Sequence, residues 1–386
     1  MPVLFGKSYT REELLKCVGD VKQVAGIEPI EYTEGSRRGC RALLVRNAAG
    51  LDLTVLVDRG LGIDECHYRG IPLAFRTPVG PVHPAFFSDK GRDWLKTWPG
   101  GLLAPCGLTY LGAPCVDGGV QLGLHGRVGA IPAENVQHGI QWDTDGNARL
   151  RLQGLLREYT LFSEHVSLCR EIVLPLDAPR ITITDVVTNH GHDPAPLMLL
   201  QHINLGFPLV SPAASLVLPP CNTIPRDADA RRGLRECCHF SAPVKGYREQ
   251  VFYHDCVPDP AGEVQAGVIN PCLGAEGLGV VLRYQKADYP VLVEWKMIKE
   301  GTYVVGVEPA NCRVEGRAKE RLKGTLTMLQ PGEARRFRLG ISIIEGKTAI
   351  ADFMATQKLN RGRSDNRRGA ARKDGAVRGR ANRDST

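Results

Sequence analysis

Along most of this chain, apolar and polar residues alternate one by one in short runs. RALLVRN (41–47), LDLTVLVDRG (51–60), ARLRLQGLL (148–156), HVSLCREIVL (165–174) and RITITDVVTN (180–189) come first. LGVVLRYQ (278–285), TYVVGVEP (302–309), KGTLTMLQPG (323–332) and RRFRLGISII (335–344) follow. A period of two turns one face of each run to a core and the other to water, which predicts half-buried antiparallel strands. The breaks NAAG, TDGN, NHGHDPAP and QPGE are rich in Asn, Asp, Gly and Pro, the residues of turns. Only TREELLKCV (10–18) starts a helix plainly, with Thr10 as cap and Glu13 completing a capping box. The pattern predicts an all-β sandwich of antiparallel sheets with few short helices, as a single domain over residues 1–357.

One run breaks the alternation. LMLLQHINLGFPLV (197–210) is almost wholly apolar until Gln201 and His202, then turns at Gly206 and Pro208. It reads as a strand entering a core. Its imidazole is either a core histidine satisfied by a carbonyl or a proton carrier at the strand mouth.

Composition changes the picture in two places. The net charge of +7 raises a nucleic-acid or membrane partner, but residues 361–386 carry +6 of it and the remaining 360 residues only +1. A near-neutral body gives no basic footprint for nucleic acid. The tail, 358–386, is basic and nearly free of large apolar residues, so disorder is expected there. The twelve cysteines are scattered, and MPVLFGKSYTREELL has neither a basic leader nor a long apolar stretch. Reduced thiols in a cytoplasmic protein are therefore expected. No run of about 18 apolar residues exists to cross a membrane.

Standard catalytic devices are missing. The sequence has no phosphate-binding Gly-rich loop, no Gly-x-Ser-x-Gly, no His-Glu-x-x-His and no Cys-x-x-Cys. CCH (237–239) and ECH (65–67) lack zinc spacing, so neither a metal nor another cofactor is expected. What remains is polar residues at the ends of apolar strands. GLHGRVG (123–129) sets His125 and Arg127 among glycines. LVEWKM (292–297) puts Glu294 and Lys296 on one face and Trp295 on the other. VVGVEPAN (304–311) ends on Glu308, and VFYHDC (251–256) carries His254 and Asp255. Taken singly, a strand-end Glu is more often a solvated rim residue and a lone His a satisfied core residue.

The order His125, His202, Asp255, Glu308 on a chain of many short strands resembles the aldose 1-epimerase (galactose mutarotase) family. QHINLGFPL is similar to that family's Asn-His-x-Tyr-Phe-Asn-Leu segment, with Gln201 for the Asn and no Tyr. GLHG is similar to its His-Gly element, VEPAN to the strand bearing its glutamate, and YHDC loosely to an Asp-His element. DRGLGI (58–63), LHGRVGAIPA (124–133), VEWKM and GVEPAN are similar to recurring words of an uncharacterised bacterial branch. The resemblance spans roughly residues 25–348 and implies a galactose mutarotase-like β-supersandwich with a sugar cleft. It implies Glu308 as catalytic base, His202 as acid and His125 as a sugar contact. Arg59, Arg127, Asp255, Glu294 and Lys296 are taken as further sugar-binding residues, the two arginines because guanidinium forks hold vicinal oxygens well.

The expected activity is interconversion of sugar anomers by acid–base ring opening, without cofactor. Two other readings stand beside it. One is a carbohydrate-binding or sensing module that kept the cleft and lost turnover, favoured by Gln201 and the missing aromatic. The other is an isomerase acting through an enediol, with Lys296 beside Glu294 to steady an enolate oxygen. The expected partner is a small sugar, with no nucleic acid and no membrane, and a homodimer is compatible with the chain.

Overall fold

The alternating runs pair into two large antiparallel sheets in the computed structural model, which describes residues 1–357. The basic tail expected at 358–386 lies outside the described residues. One sheet has eight strands, in the order Glu134–Trp142, Ala148–Tyr159, His165–Pro175, Arg180–Asn189, Ala334–Glu345, Leu278–Gln285, Glu263–Asn270, Ser215–Val217. The other has twelve. Its path runs Cys221–Pro225, Gln250–Cys256, Val291–Lys299, Thr302–Ala310, Ala195–Gly206, Leu103–Leu108, Gly62–Tyr68, Leu51–Leu56, Arg41–Arg46, Gly26–Glu31, with two short strands beside it.

Helices are short, at Arg11–Cys17, Ala228–Arg232 and Arg317–Leu322, with a further helical stretch over 347–357. Both halves of the Thr10–Glu13 capping box form. KGTLTMLQPG departs from the expected strand. The Arg317–Leu322 helix runs into its start, Gly324 turns the chain with φ +68°, and only Thr327–Leu329 is extended. Among the described residues no helix is long and apolar enough to cross a membrane.

The Ala195–Gly206 strand is buried along its whole length because it is central in its sheet and covered on both faces. Leu197, Leu199, Ile203 and Leu205 enter the main core between the two sheets. Met198 and Leu200 enter a second apolar cluster on the other side, with Phe75, Trp94 and Trp98. Gln201 belongs to the first face. There Arg170 binds Asp185 through two bonds of 2.8 and 2.6 Å and donates to Gln201 Oε1 at 3.0 Å. Gln201 Nε2 donates to Asp185 at 2.7 Å and to Tyr289 at 3.2 Å. This network ties the two sheets together in a fully buried region, where a charge is tolerated only when paired and hydrogen-bonded.

Candidate functional site

Period two sends His202 to the face opposite Gln201. The register that pairs Leu200 with Ala310 and Asn204 with Gly306 sets His202 directly across from Glu308 on the neighbouring strand. His202 Nδ1 lies 3.1 Å from Glu308 Oε1. Both residues are buried, at 5% and 2% exposure. The contact is not aligned as a hydrogen bond, so both atoms are left without a partner in the protein.

Gly306, two residues before Glu308, makes this placement possible. A Cβ there would overlap Glu308 Oε1 and approach Trp295 Cβ to 3.2 Å. The bare backbone is the space the carboxyl occupies. It also leaves room for Trp295, which sits across from Gly306 on the next strand.

The pair forms the floor of a cleft of about 400 Å³. Aromatic rings wall it. Trp94 and Trp98 stack at 5.1 Å, and the His202 ring lies 5.5 Å from Trp98 and 5.6 Å from Trp295. His125 meets Trp94 at 4.9 Å and His202 edge-on at 5.7 Å. It sits in the left-handed region, φ +59°, held by Gly107 N–H donating to its carbonyl and by its own N–H donating to Gly112. Its Nδ1 has no protein partner. The rim is polar. Trp295 Nε1 donates to Glu249 at 3.1 Å, and Arg226 bridges Glu249 and Asp227.

Burial sets the charge state of the floor. It pushes the Glu308 carboxyl well above the ordinary carboxylate range, helped by Glu249 and opposed by Arg226. It pushes His202 down to about 3, with His125 adding to the fall and Asn204 opposing it. Both directions disfavour charge and so favour a neutral carboxyl beside a neutral imidazole. Neutral carboxyl beside neutral imidazole has the same proton count as carboxylate beside imidazolium, and the two forms differ by one transfer across a short contact.

Of the candidate residues, the fold brings Glu308, His202 and His125 together. It takes the others elsewhere. Arg59 is buried and spends its guanidinium on carbonyls, donating to Val82 at 3.2 Å and Thr97 at 2.8 Å. It therefore anchors the segment that carries Trp94 and Trp98 rather than contacting the cleft. Arg127 donates to Thr160 Oγ1 at 2.8 Å and to Tyr159 O. Asp255 is exposed and pairs with Lys286. Glu294 and Lys296 do share a face, but it is the face away from the cleft. Lys296 Nζ is capped by the carbonyls of Glu236 and His239, and Glu294 faces His254. The enediol reading loses its lysine by this alternation. Gln201, the departure that favours a binding module, lies in the inter-sheet network on the face away from the cleft.

The tryptophans were the missed residues. Three of the chain's four, Trp94, Trp98 and Trp295, line the cleft. The spacing WLKTW (94–98) in a chain so poor in Trp was the available signal.

A family model for a domain of unknown function, DUF4432, matches residues 37–343. No curated protein matches the chain by sequence. Among solved structures, a candidate aldose 1-epimerase from Klebsiella pneumoniae is similar, with TM-score 0.82 and 24% identity, over 91% of this chain and 90% of that one. A galactose mutarotase-like protein from Clostridium acetobutylicum aligns with TM-score 0.58 and 13% identity, over 84% and 99%. Slr1438 from Synechocystis sp. PCC 6803 aligns with TM-score 0.55 and 19% identity, over 81% and 98%. The architecture is that of the galactose mutarotase-like proteins.

Proposed function

The chain belongs to the DUF4432 family, and on that premise we propose that it is an aldose 1-epimerase-type isomerase, interconverting the anomers of a sugar by ring opening and closure. The observation that carries the reading is the His202–Glu308 contact, 3.1 Å across adjacent strands, at the floor of an aromatic cleft.

A cyclic aldose opens when its anomeric hydroxyl loses a proton and its ring oxygen gains one. Glu308 takes the first proton as base, and His202 supplies the second as acid. The pair enters the reaction after its shared proton has moved onto the imidazole. Once the new carbonyl has rotated, ring closure runs the same transfers in reverse. The pair ends in its starting state, so no cofactor is consumed. Trp94, Trp98 and Trp295 offer flat apolar faces to the C–H faces of a pyranose or furanose. His125 lines the cleft, where its imidazole can bond a sugar hydroxyl.

The test is exchange NMR on a panel of aldoses and uronates, which observes anomer interconversion directly. Wild type is expected to speed exchange of at least one sugar above the solvent rate, and Glu308→Gln to abolish that gain. Saturable binding without faster exchange across the panel would instead establish a carbohydrate-binding module.

A further inference from the structure

On the face of the twelve-stranded sheet opposite the cleft lies a second constellation. Cys221 begins the outermost strand and is half-buried. Its Sγ is 4.0 Å from His254 Nδ1, which also contacts Thr223 Oγ1 at 2.9 Å. The other ring nitrogen, His254 Nε2, is 3.0 Å from Glu294 Oε2, and both residues are fully buried. Nucleophile, imidazole and orienting carboxylate thus stand in sequence, the arrangement that activates a thiol. Burial works against charge on His254, but Cys221 and Glu294 outweigh it and push the ring up to about 9. The Cys221 thiol is brought down to about 4 by the Cys256 thiol first and by His254, against burial. The cation needed to hold a thiolate is therefore built into the site.

Register supplies a second thiol. Cys221 is directly opposite Cys256. Val257 N–H donates to Pro220 O at 2.7 Å, so the neighbouring 220–257 pair is the hydrogen-bonded one. Cys221 and Cys256 accordingly form a non-hydrogen-bonded pair. In such pairs side chains approach closely and Cα atoms lie about 4.5 Å apart, inside the roughly 4.4–6.8 Å spanned by disulfides. Both are free thiols, and Cys256 is buried behind Cys221. Among the described residues no group of three His, Cys, Asp or Glu side chains is placed to hold a metal ion.

We propose that Cys221 is a reversible oxidation site for hydroperoxides, with His254 and Glu294 as its activating relay and Cys256 as the resolving thiol. The Cys221 thiolate attacks the peroxide, the O–O bond breaks, an S–O bond forms, and the departing oxygen takes the His254 proton and leaves as water or an alcohol. Sulfur is oxidised and the peroxide reduced. Cys256 then attacks the resulting sulfenic acid. The S–O bond breaks, the S–S bond forms, and water leaves carrying the Cys256 proton.

Cys17 and Cys272 are exposed and serve as internal reference thiols. The full-length protein is treated with equimolar hydrogen peroxide, alkylated, digested and mapped by mass spectrometry. The expected result is a Cys221–Cys256 linked peptide that appears first and disappears with dithiothreitol. Cys256→Ser should give no linked peptide and a dimedone adduct on Cys221. Cys221 should react at least about tenfold faster than Cys17 and Cys272, and His254→Gln should remove that advantage. If His254→Gln does not fold, wild type and Cys256→Ser decide alone. Cys221 reacting no faster than the reference thiols, or a first disulfide elsewhere, such as between Cys237 and Cys238, overturns the proposal.

Discussion

Gln201 and His202 are consecutive residues whose side chains lie on opposite faces of one strand. Gln201 bonds Arg170, Asp185 and Tyr289 between the sheets, and His202 faces Glu308 in the cleft. The rigid network behind the strand fixes where the imidazole stands in front of it, as the proposed acid role requires. The departure at position 201 thus lies in the inter-sheet network, and the proposed reacting pair is position 202 and its cross-strand neighbour.

Removing either member of the pair should remove catalysis. Glu308→Gln and His202→Asn are each expected to slow anomer exchange by about a hundredfold to ten-thousandfold. The double variant should be scarcely worse than either single one, because the two groups act as a unit. Exchange NMR on the best substrate measures all three. A wild-type rate in either single variant would reassign the pair.

Gly306→Ala tests the geometry without touching a reacting group. The added methyl meets the Glu308 carboxyl, the free end of a flexible side chain, so the carboxyl must turn aside while the strand stays paired. We expect exchange to fall by more than about tenfold, as expected of a misplaced catalytic group, with an unchanged sheet signal in circular dichroism. Exchange at the wild-type rate would show that the observed carboxyl position is not the working one.

His125→Ala should separate binding from chemistry. Its ring walls the cleft beside Trp94 and His202 without contacting the carboxyl. KM is expected to rise with a smaller fall in kcat, whereas Glu308→Gln lowers kcat with affinity roughly kept. Titration calorimetry beside exchange kinetics reads the difference. A pure kcat loss in His125→Ala would give it a part in proton transfer.

Asp185→Asn should be among the most damaging changes outside the cleft. It strips the fully buried Arg170 guanidinium of its carboxylate. Leaving a buried charge unpaired costs about 3–5 kcal/mol. Arg170 also donates to the Gly60 carbonyl at 3.3 Å. Urea unfolding measures the loss, and a loss below about 1 kcal/mol would show that Gln201 and the Gly60 carbonyl suffice.

The buried pair also predicts a pH dependence of stability. His202 sits at about 3 in the fold against an ordinary 6.5, so between those values the unfolded chain binds a proton that the folded one refuses. Its contribution is present above pH 6.5 and lost as pH falls, with a slope of up to about 1.4 kcal/mol per pH unit. Glu308, raised by burial, acts oppositely: the folded chain keeps its proton, and that contribution is lost as pH rises above the ordinary carboxylate value of 4.5. In Glu308→Gln the carboxyl's opposing slope is gone. Adding His202→Asn should lessen the remaining slope between about pH 6.5 and 4, leaving that of His125, which burial also pushes down to about 4. Equal slopes in the two variants would contradict the shift.

The sequence by itself determined the local terms: period two, turn chemistry and the Thr10–Glu13 cap. These depend on neighbours a few residues apart, and they were enough for an all-β sandwich. Alternation alone also placed Glu294 and Lys296 on one face and Trp295 on the other, without saying which face carried the cleft. Only the tertiary structure decided that, because it depends on which strand lies beside which. The same holds for Glu308 and His202, 106 residues apart and joined by register. Arg59 shows the limit most clearly. A guanidinium reads from sequence as a ligand fork, yet three-dimensional burial commits it to the Val82 and Thr97 carbonyls. A buried donor must satisfy whatever acceptors the fold brings to it, and that supply is not local in the chain.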